Sequence, residues 1–152
     1  MKATLLFIFQ DDRVLLMVKK RGLGAGKVNA PGGKIDPGES AIDCAIRETE
    51  EELCIRARGV EPAGLLRFQF VDGLAIHCEV FRASGFDGVP TETDEGLPFW
   101  CAVDEIPYER MWQDDQYWLP VMLEGRQFAG EFIFDGDIMR DHRLEISSGE
   151  ET

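Results

Sequence analysis

Four of the five residues from Glu48 to Glu52 are carboxylates, in the run Arg47-Glu48-Thr49-Glu50-Glu51-Glu52-Leu53. The spacing of apolar residues around them predicts a helix, on which each residue advances about 100°. Glu48 and Glu52 then lie about 40° apart, and Glu48 and Glu51 about 60° apart on the other side. These three share one narrow sector, while Glu50 points elsewhere, to solvent. Like charges at such spacings repel and destabilise an isolated helix. A divalent cation held by oxygen ligands would supply the missing positive charge, and it is also how a protein grips a polyphosphate. Arg47 borders the sector, and its forked guanidinium suits a bidentate bond to a carboxylate. Gly32 and Gly33 can offer a backbone carbonyl to the same cation with no side chain in the way. Taken alone, a Glu-rich helix reads as a solvated face. Its surroundings therefore decide.

Thr4 to Phe9 and Val14 to Val18 are β-rich runs joined by Gln10-Asp11-Asp12-Arg13, a hairpin signal. Lys19-Lys20-Arg21 leads into the glycine-rich Gly22-Leu23-Gly24-Ala25-Gly26, read as a mobile basic loop, and Pro31-Gly32-Gly33 marks a tight turn. Asp36-Pro37-Gly38-Glu39-Ser40 delivers the helix start, with Ser40 as N-cap and Asp43 as a short capping-box acid. The helix is expected from Ala41 to about Leu53, with Ile42, Ala45, Ile46, Thr49 and Leu53 facing the core. A second strand pair, Gly64 to Val71 and Leu74 to Ala83, turns at Asp72-Gly73, and a polar loop, Ser84 to Gly96, carries Asp94 and Glu95. Then come a strand from Leu97 to Val103, a turn from Asp104 to Pro107 and a helix from Asp114 to Glu124, with Pro120 in its first turn or at a kink. A last hairpin spans Phe128 to Ile146 around Asp135-Gly136-Asp137, and Ser147 to Thr152 reads as a frayed tail. Interleaved strands and helices imply an α/β or α+β fold with a mixed sheet.

The 152 residues suit one domain with a sizeable core. A net charge of −13 argues against a polymeric nucleic acid as partner, but leaves room for a small phosphorylated ligand reached through a cation. Cys44, Cys54, Cys78 and Cys101 form no C-x-x-C pair, and His77 and His142 are not spaced to complete a zinc site. They read as reduced, mostly buried thiols of a cytoplasmic protein. The apolar start, Ala3 to Phe9, lacks a small-residue cleavage site and reads as a buried strand. No apolar run approaches the ~20 residues that span a bilayer.

Gly33, Glu39, Arg47, Glu48, Glu51, Glu52 and Ile55 stand at the spacing G-x5-E-x7-R-E-U-x-E-E-x-G-U, where U is apolar. The chain thereby resembles the Nudix hydrolases. Two positions depart: Thr49 stands where an apolar residue is usual, and Cys54 where glycine is usual. The resemblance implies a mixed sheet sandwiched between helices, and Mg2+-dependent hydrolysis with Mn2+ as a substitute. It implies metal ligands at Glu48, Glu51, Glu52, the Gly32 carbonyl and Glu95. Glu52 and Glu95 are its candidates for the general base, with Arg47 and Glu51 in the same catalytic group.

Lys19 to Asn29, Phe68 to Val71, Thr93 to Glu95 and Met111 to Trp118 extend the resemblance over nearly the whole chain. They are similar to the branch of the family that hydrolyses oxidised purine nucleoside triphosphates such as 8-oxo-dGTP to monophosphate and pyrophosphate. That likeness implies a base pocket of Asn29, Phe68, Phe70, Trp112, Asp114 and Asp115, with Thr4, Pro31 and Gly33 beside it and Lys19 and Lys34 toward the phosphates. The chemistry agrees: Trp112 and Phe68 offer flat apolar surfaces, Asn29 both a donor and an acceptor. An aspartate kept protonated by burial or by its neighbour becomes a donor, so Asp114 and Asp115 can read tautomers. Val28, Leu23 and Pro31 stand where that branch carries aromatic residues, which implies a wider pocket. The partner expected is a small nucleotide, with no membrane, on a monomer or weak dimer. The Trp112 to Asp115 segment argues against ADP-ribose or nucleotide sugars as substrates, and intact Glu48, Glu51 and Glu52 argue against a silent nucleotide-binding module.

Overall fold

The structure is a computed structural model that describes residues 1–147. Most of the tail expected from Ser147 onward lies outside the described residues. Nine strands and two helices follow one another as β1 (Lys2–Gln10), β2 (Arg13–Lys19), β3 (Val28–Asn29), β4 (Gly32–Lys34), α1 (Ala41–Leu53), β5 (Arg56–Phe70), β6 (Ala75–Asp87), β7 (Gly96–Ala102), α2 (Asp115–Leu123), β8 (Phe128–Asp135) and β9 (Ile138–Ile146). One 3-10 turn, Tyr108–Arg110, precedes α2. The sheet runs β3-β2-β1-β6-β5-β8-β9, with β4 on β1 and β7 on β2. β1 with β6 and β5 with β8 are parallel, and the other pairs are antiparallel. It is the mixed sheet of an α+β fold.

Strand alternation distributes the core over two faces. Leu6 and Ile8 of β1, with Leu15 and Met17 of β2, pack with Ala45 and Leu53 of α1. Phe7, Val14 and Leu16 point the other way, to Trp118, Leu119 and Met122 of α2. Trp118 is fully buried, edge-on to Phe7 and stacked on Phe128 at 5.2 Å between centroids. Its truncation to alanine would cost about 3–5 kcal/mol.

The helix α1 has the predicted bounds, and Ser40 Oγ accepts the Asp43 N–H at 3.1 Å. Its inward face is rotated from the expected one. Ile42 is exposed and Ile46 only partly covered, while Cys44, Ala45, Thr49, Glu52 and Leu53 are buried. The helix turns its Cys44–Glu52 side to β4, and two apolar residues go to the rim. β5 and β6 are longer than predicted because Gly59 and Pro62 are absorbed into β5, and Ser84 and Gly85 into β6. The register shifts between Pro62 and Gly64, and a Cβ at Gly64 would meet the Phe128 ring at 2.3 Å. Pro120 sits inside α2 without ending it. Cys44, Cys78 and Cys101 are buried free thiols, and Cys54 is exposed. Among the described residues no helix is long and apolar enough to cross a membrane.

Candidate active site

α1 and β4 form the acidic end of the site. Arg47 is its organiser: Nε meets Glu39 Oε2 at 2.7 Å and Nη2 meets Glu39 Oε1 at 2.9 Å. Its Nη1 reaches Glu48 Oε2 at 2.9 Å and Glu51 Oε2 at 3.1 Å. The Arg47 guanidinium, helped by the Asp36 N–H, holds the Glu39 carboxyl down to about 2. In return the carboxylates, Glu39 foremost, raise Arg47 further above its ordinary range. Arg47 thus ties the loop before α1 to the acidic sector of the helix.

Glu52 differs from its neighbours because it is only 6% exposed. Its Oε1 accepts the Gly32 N–H at 3.3 Å. Burial first, and a shared hydrogen bond with Glu48 second, push its carboxyl up to about 8. Gly33 lies directly under Glu48, where a Cβ would stand 2.5 Å from the carboxylate carbon. The Thr93 hydroxyl donates to the Glu52 carbonyl at 2.7 Å and accepts the Glu95 N–H at 3.1 Å, so the Glu95 loop is pinned to the end of α1. The Glu95 carboxylate itself pairs with Arg21.

Among the described residues no three His, Cys, Asp or Glu side chains surround a common point suited to a metal ion. Arg47 engages Glu48 and Glu51, and Arg21 engages Glu95. The donor set nevertheless fits a hard cation. Glu48 and Glu52 share a proton-demanding contact beside the backbone of Gly32, and a divalent ion there would remove the repulsion.

Beyond this end lies a cavity of about 260 Å3 lined by Thr4, Lys19, Leu23, Asn29, Gly32, Gly33, Lys34, Phe68, Phe70, Ile76, Cys78, Trp112, Asp114, Asp115 and Phe134, among others. Its aromatic wall is interlocked: Phe70 and Phe134 stack at 5.6 Å, and both meet Trp112 edge-on. Asn29 Oδ1 accepts the Ala30 N–H at 2.8 Å, which leaves its amide N–H groups for a ligand. The Thr4 hydroxyl lies 3.4 Å from Cys44 Sγ.

Asp114 and Asp115 are 1% and 3% exposed at the start of α2. Asp114 Oδ2 accepts the Trp118 indole N–H at 2.7 Å, but Asp114 Oδ1 and Asp115 Oδ2 are buried without a partner. Burial raises both carboxyls. The bond from Trp118 offsets part of the rise at Asp114, whereas the Asp114 charge pushes Asp115 still higher. Burial and mutual repulsion therefore favour a single proton held by the pair. Neither side chain caps α2, so this is no ordinary acidic helix start.

The NUDIX domain family profile matches residues 1–122. The chain belongs to the Nudix family. An oxidized purine nucleoside triphosphate hydrolase from Danio rerio is 40% identical over 144 residues, covering 93% of this chain and 92% of that protein. A protein of the same description from Mus musculus is 39% identical over 150 residues, 95% of each. Among solved structures, a MutT protein from Bacillus halodurans superposes with a TM-score of 0.85 at 28% identity, over 95% of this chain and 97% of that one. The chain is thus a Nudix pyrophosphohydrolase, similar to oxidized purine nucleoside triphosphate hydrolases.

Against the Nudix fold the departures find physical places. Thr49 is buried and turns its hydroxyl back to the Ala45 carbonyl at 2.8 Å, so it packs where an apolar residue would. Cys54 ends α1 in the left-handed region at φ 63°, the conformation that favours glycine. Pro31 is not on the cavity wall. Its carbonyl accepts the Leu6 N–H, and pairing with β1 turns its side chain into buried surroundings. Val28 is likewise core, so of the three aromatic-to-smaller departures only Leu23 borders the cavity. Sequence reasoning missed Ile76, Cys78 and Phe134 on the wall. Ile76 and Cys78 alternate on β6, but nothing local said which face of that strand the cavity would use.

Proposed function

We propose that this Nudix enzyme hydrolyses oxidised purine nucleoside triphosphates, such as 8-oxo-dGTP, to the monophosphate and pyrophosphate, with Mg2+ and with Mn2+ as a substitute. The observation that carries the reading is the Asp114–Asp115 pair. Two partnerless carboxyl oxygens, buried in a largely apolar and aromatic cavity, cost free energy unless a ligand satisfies them. One neutral acid and one carboxylate side by side offer a donor and an acceptor, the pattern a base edge with altered tautomers requires. Asn29 adds further donors, and Trp112 and the phenylalanines give apolar surface to a flat ring. About 40% identity to the fish and mouse enzymes supports the same reading.

Glu48, Glu52 and the Gly32 carbonyl would hold the metal, joined by Glu51 and Glu95 from their arginine partners. The metal supplies neutralisation of phosphate charge and a more acidic bound water. Glu52 suits the role of general base, because it is buried beside the Gly32 backbone at the metal-facing end of the cavity. Glu95, the other candidate, is engaged by Arg21. Arg47 orients Glu48 and Glu51, and Lys19 and Lys34 on the cavity wall place positive charge toward the phosphates. The test is to replace Asp114 and Asp115 singly with asparagine and rank hydrolysis of 8-oxo-dGTP, 2-hydroxy-dATP and dGTP. Each change should reorder the three, and an unchanged ranking would sink the assignment.

A further inference from the structure

Trp112 is held from several sides by residues far apart in sequence. Gly24 lies so close that a Cβ there would stand 2.7 Å from the indole nitrogen. The Lys27 ammonium sits over the indole ring at 5.0 Å from its centroid. Lys27 is not one of the residues lining the cavity. Its loop is closed onto β2, since the Lys19 N–H donates to the Lys27 carbonyl at 2.9 Å. Across the ring edge, Lys27 Nζ pairs with Asp137 Oδ2 at 3.3 Å, in the turn between β8 and β9. The same hairpin sends Phe134 against the indole and donates the Met139 N–H to Gln113 Oε1 at 2.6 Å. This hairpin lies beyond the residues that the family profile matches.

We infer that Lys27, steadied by Asp137, is a positioning residue for Trp112 and so a determinant of base selection. The inference rests on the proposed role of Trp112 as the purine platform. An ammonium over an indole is attracted by the negative ring face, and the contact strengthens when it is partly desolvated. Lys27 is three-quarters covered. Its carboxylate partner offsets the cost of bringing the charge to the ring. Phe70 and Phe134, near-perpendicular to the indole, and the backbone at Gly24 then fix the orientation in which the indole stacks.

The experiment measures KM and kcat for 8-oxo-dGTP in wild type, Lys27→Met, Lys27→Arg, Asp137→Asn and Trp112→Ala, with melting temperatures for each. Lys27→Met keeps the length of the side chain and removes its charge. It should raise KM about three- to tenfold, the range of a cation–π contact, with kcat and melting little changed. Lys27→Arg should restore KM, because a guanidinium stacks on indole at least as well. Asp137→Asn should fall between. An unchanged KM in Lys27→Met, with KM raised in Trp112→Ala, would overturn this inference and leave the base pocket standing. A Lys27→Arg variant as poor as Lys27→Met would overturn it as well. Wild-type KM in Trp112→Ala would remove both this inference and the platform on which it rests.

Discussion

Gly33→Ala tests whether β4 sets the position of the carboxylates proposed to hold the metal. A Cβ at Gly33 would lie 2.5 Å from Glu48 Cδ and 2.7 and 2.8 Å from its two oxygens. Glu48 would have to withdraw by about 0.9 Å to regain an ordinary contact near 3.4 Å. It cannot do so freely, because Arg47 holds it at 2.9 Å and the buried Glu52 lies beside it. A displacement of about 1 Å in a catalytic arrangement costs on the order of 100-fold in rate. The backbone itself is not at issue, since Gly33 does not have a positive φ, and stability should move by no more than about 1 kcal/mol. Gly32→Ala is the contrasting variant. Its Cβ would stand 2.0 Å from the Thr4 carbonyl oxygen and 2.9 Å from Leu5 Cα, both backbone atoms that cannot yield. That should cost about 3 kcal/mol and lower Tm by roughly 6–12 °C. Pyrophosphate release against Mg2+ concentration, with thermal denaturation of both variants, separates the two effects. Gly33→Ala turning over within threefold of wild type would refute the reasoning, and so would a loss of Tm matching that of Gly32→Ala.

Glu52→Gln keeps an acceptor for the Gly32 N–H but loses the charge, so it should remain folded while kcat falls on the order of 100-fold or more. Full Mg2+-dependent turnover by that variant would remove Glu52 from its role. Asp115 has a raised carboxyl, so the folded chain holds a proton that the unfolded chain releases above about pH 4. Stability from this group is complete below that pH and is lost as pH rises toward the folded value. Asp115→Asn cannot ionise, so it should melt about 2–4 °C above wild type at pH 7.5 and show no such gain at pH 4, by calorimetry. A gap independent of pH would contradict a proton held by the pair. Cys54→Gly relieves a left-handed cysteine and should raise Tm by about 2–4 °C with kcat unchanged. A lower Tm would show that the thiol side chain compensates for its backbone.

The acidic helix was legible because its signals are local. Ser40 caps it, the carboxylates repeat at helical spacing, and Glu39 stands where Arg47 can reach it. The phase of its buried face was not legible, because contact with β4 decided it. Burial of Glu52 against Gly32 outweighed the apolar claim of Ile42. The strand runs were found from β-rich composition, but the strand expected to start at Gly64 begins at Arg56, because the β5–β6 bulge accommodates Pro62 and pairing continues past it. Asp114, Asp115 and Trp112 carried a strong signal through the family resemblance. Phe134, Lys27 and Asp137 carried none, since only the folding of the last hairpin onto the glycine-rich loop brings them to Trp112.

The central claim is that the cavity reads an oxidised purine. Its most direct measurement is the hydrolysis of dGTP, 8-oxo-dGTP and 2-hydroxy-dATP by the wild-type protein at one equal, low concentration with Mg2+, followed by pyrophosphate release. At such concentrations the rates compare kcat/KM, and a site with one neutral and one ionised acid should favour both oxidised bases over dGTP by tenfold or more, about the value of one well-placed hydrogen bond to a charged group. Equal rates on all three nucleotides, or faster hydrolysis of ADP-ribose or a nucleotide sugar than of any of them, would contradict the account.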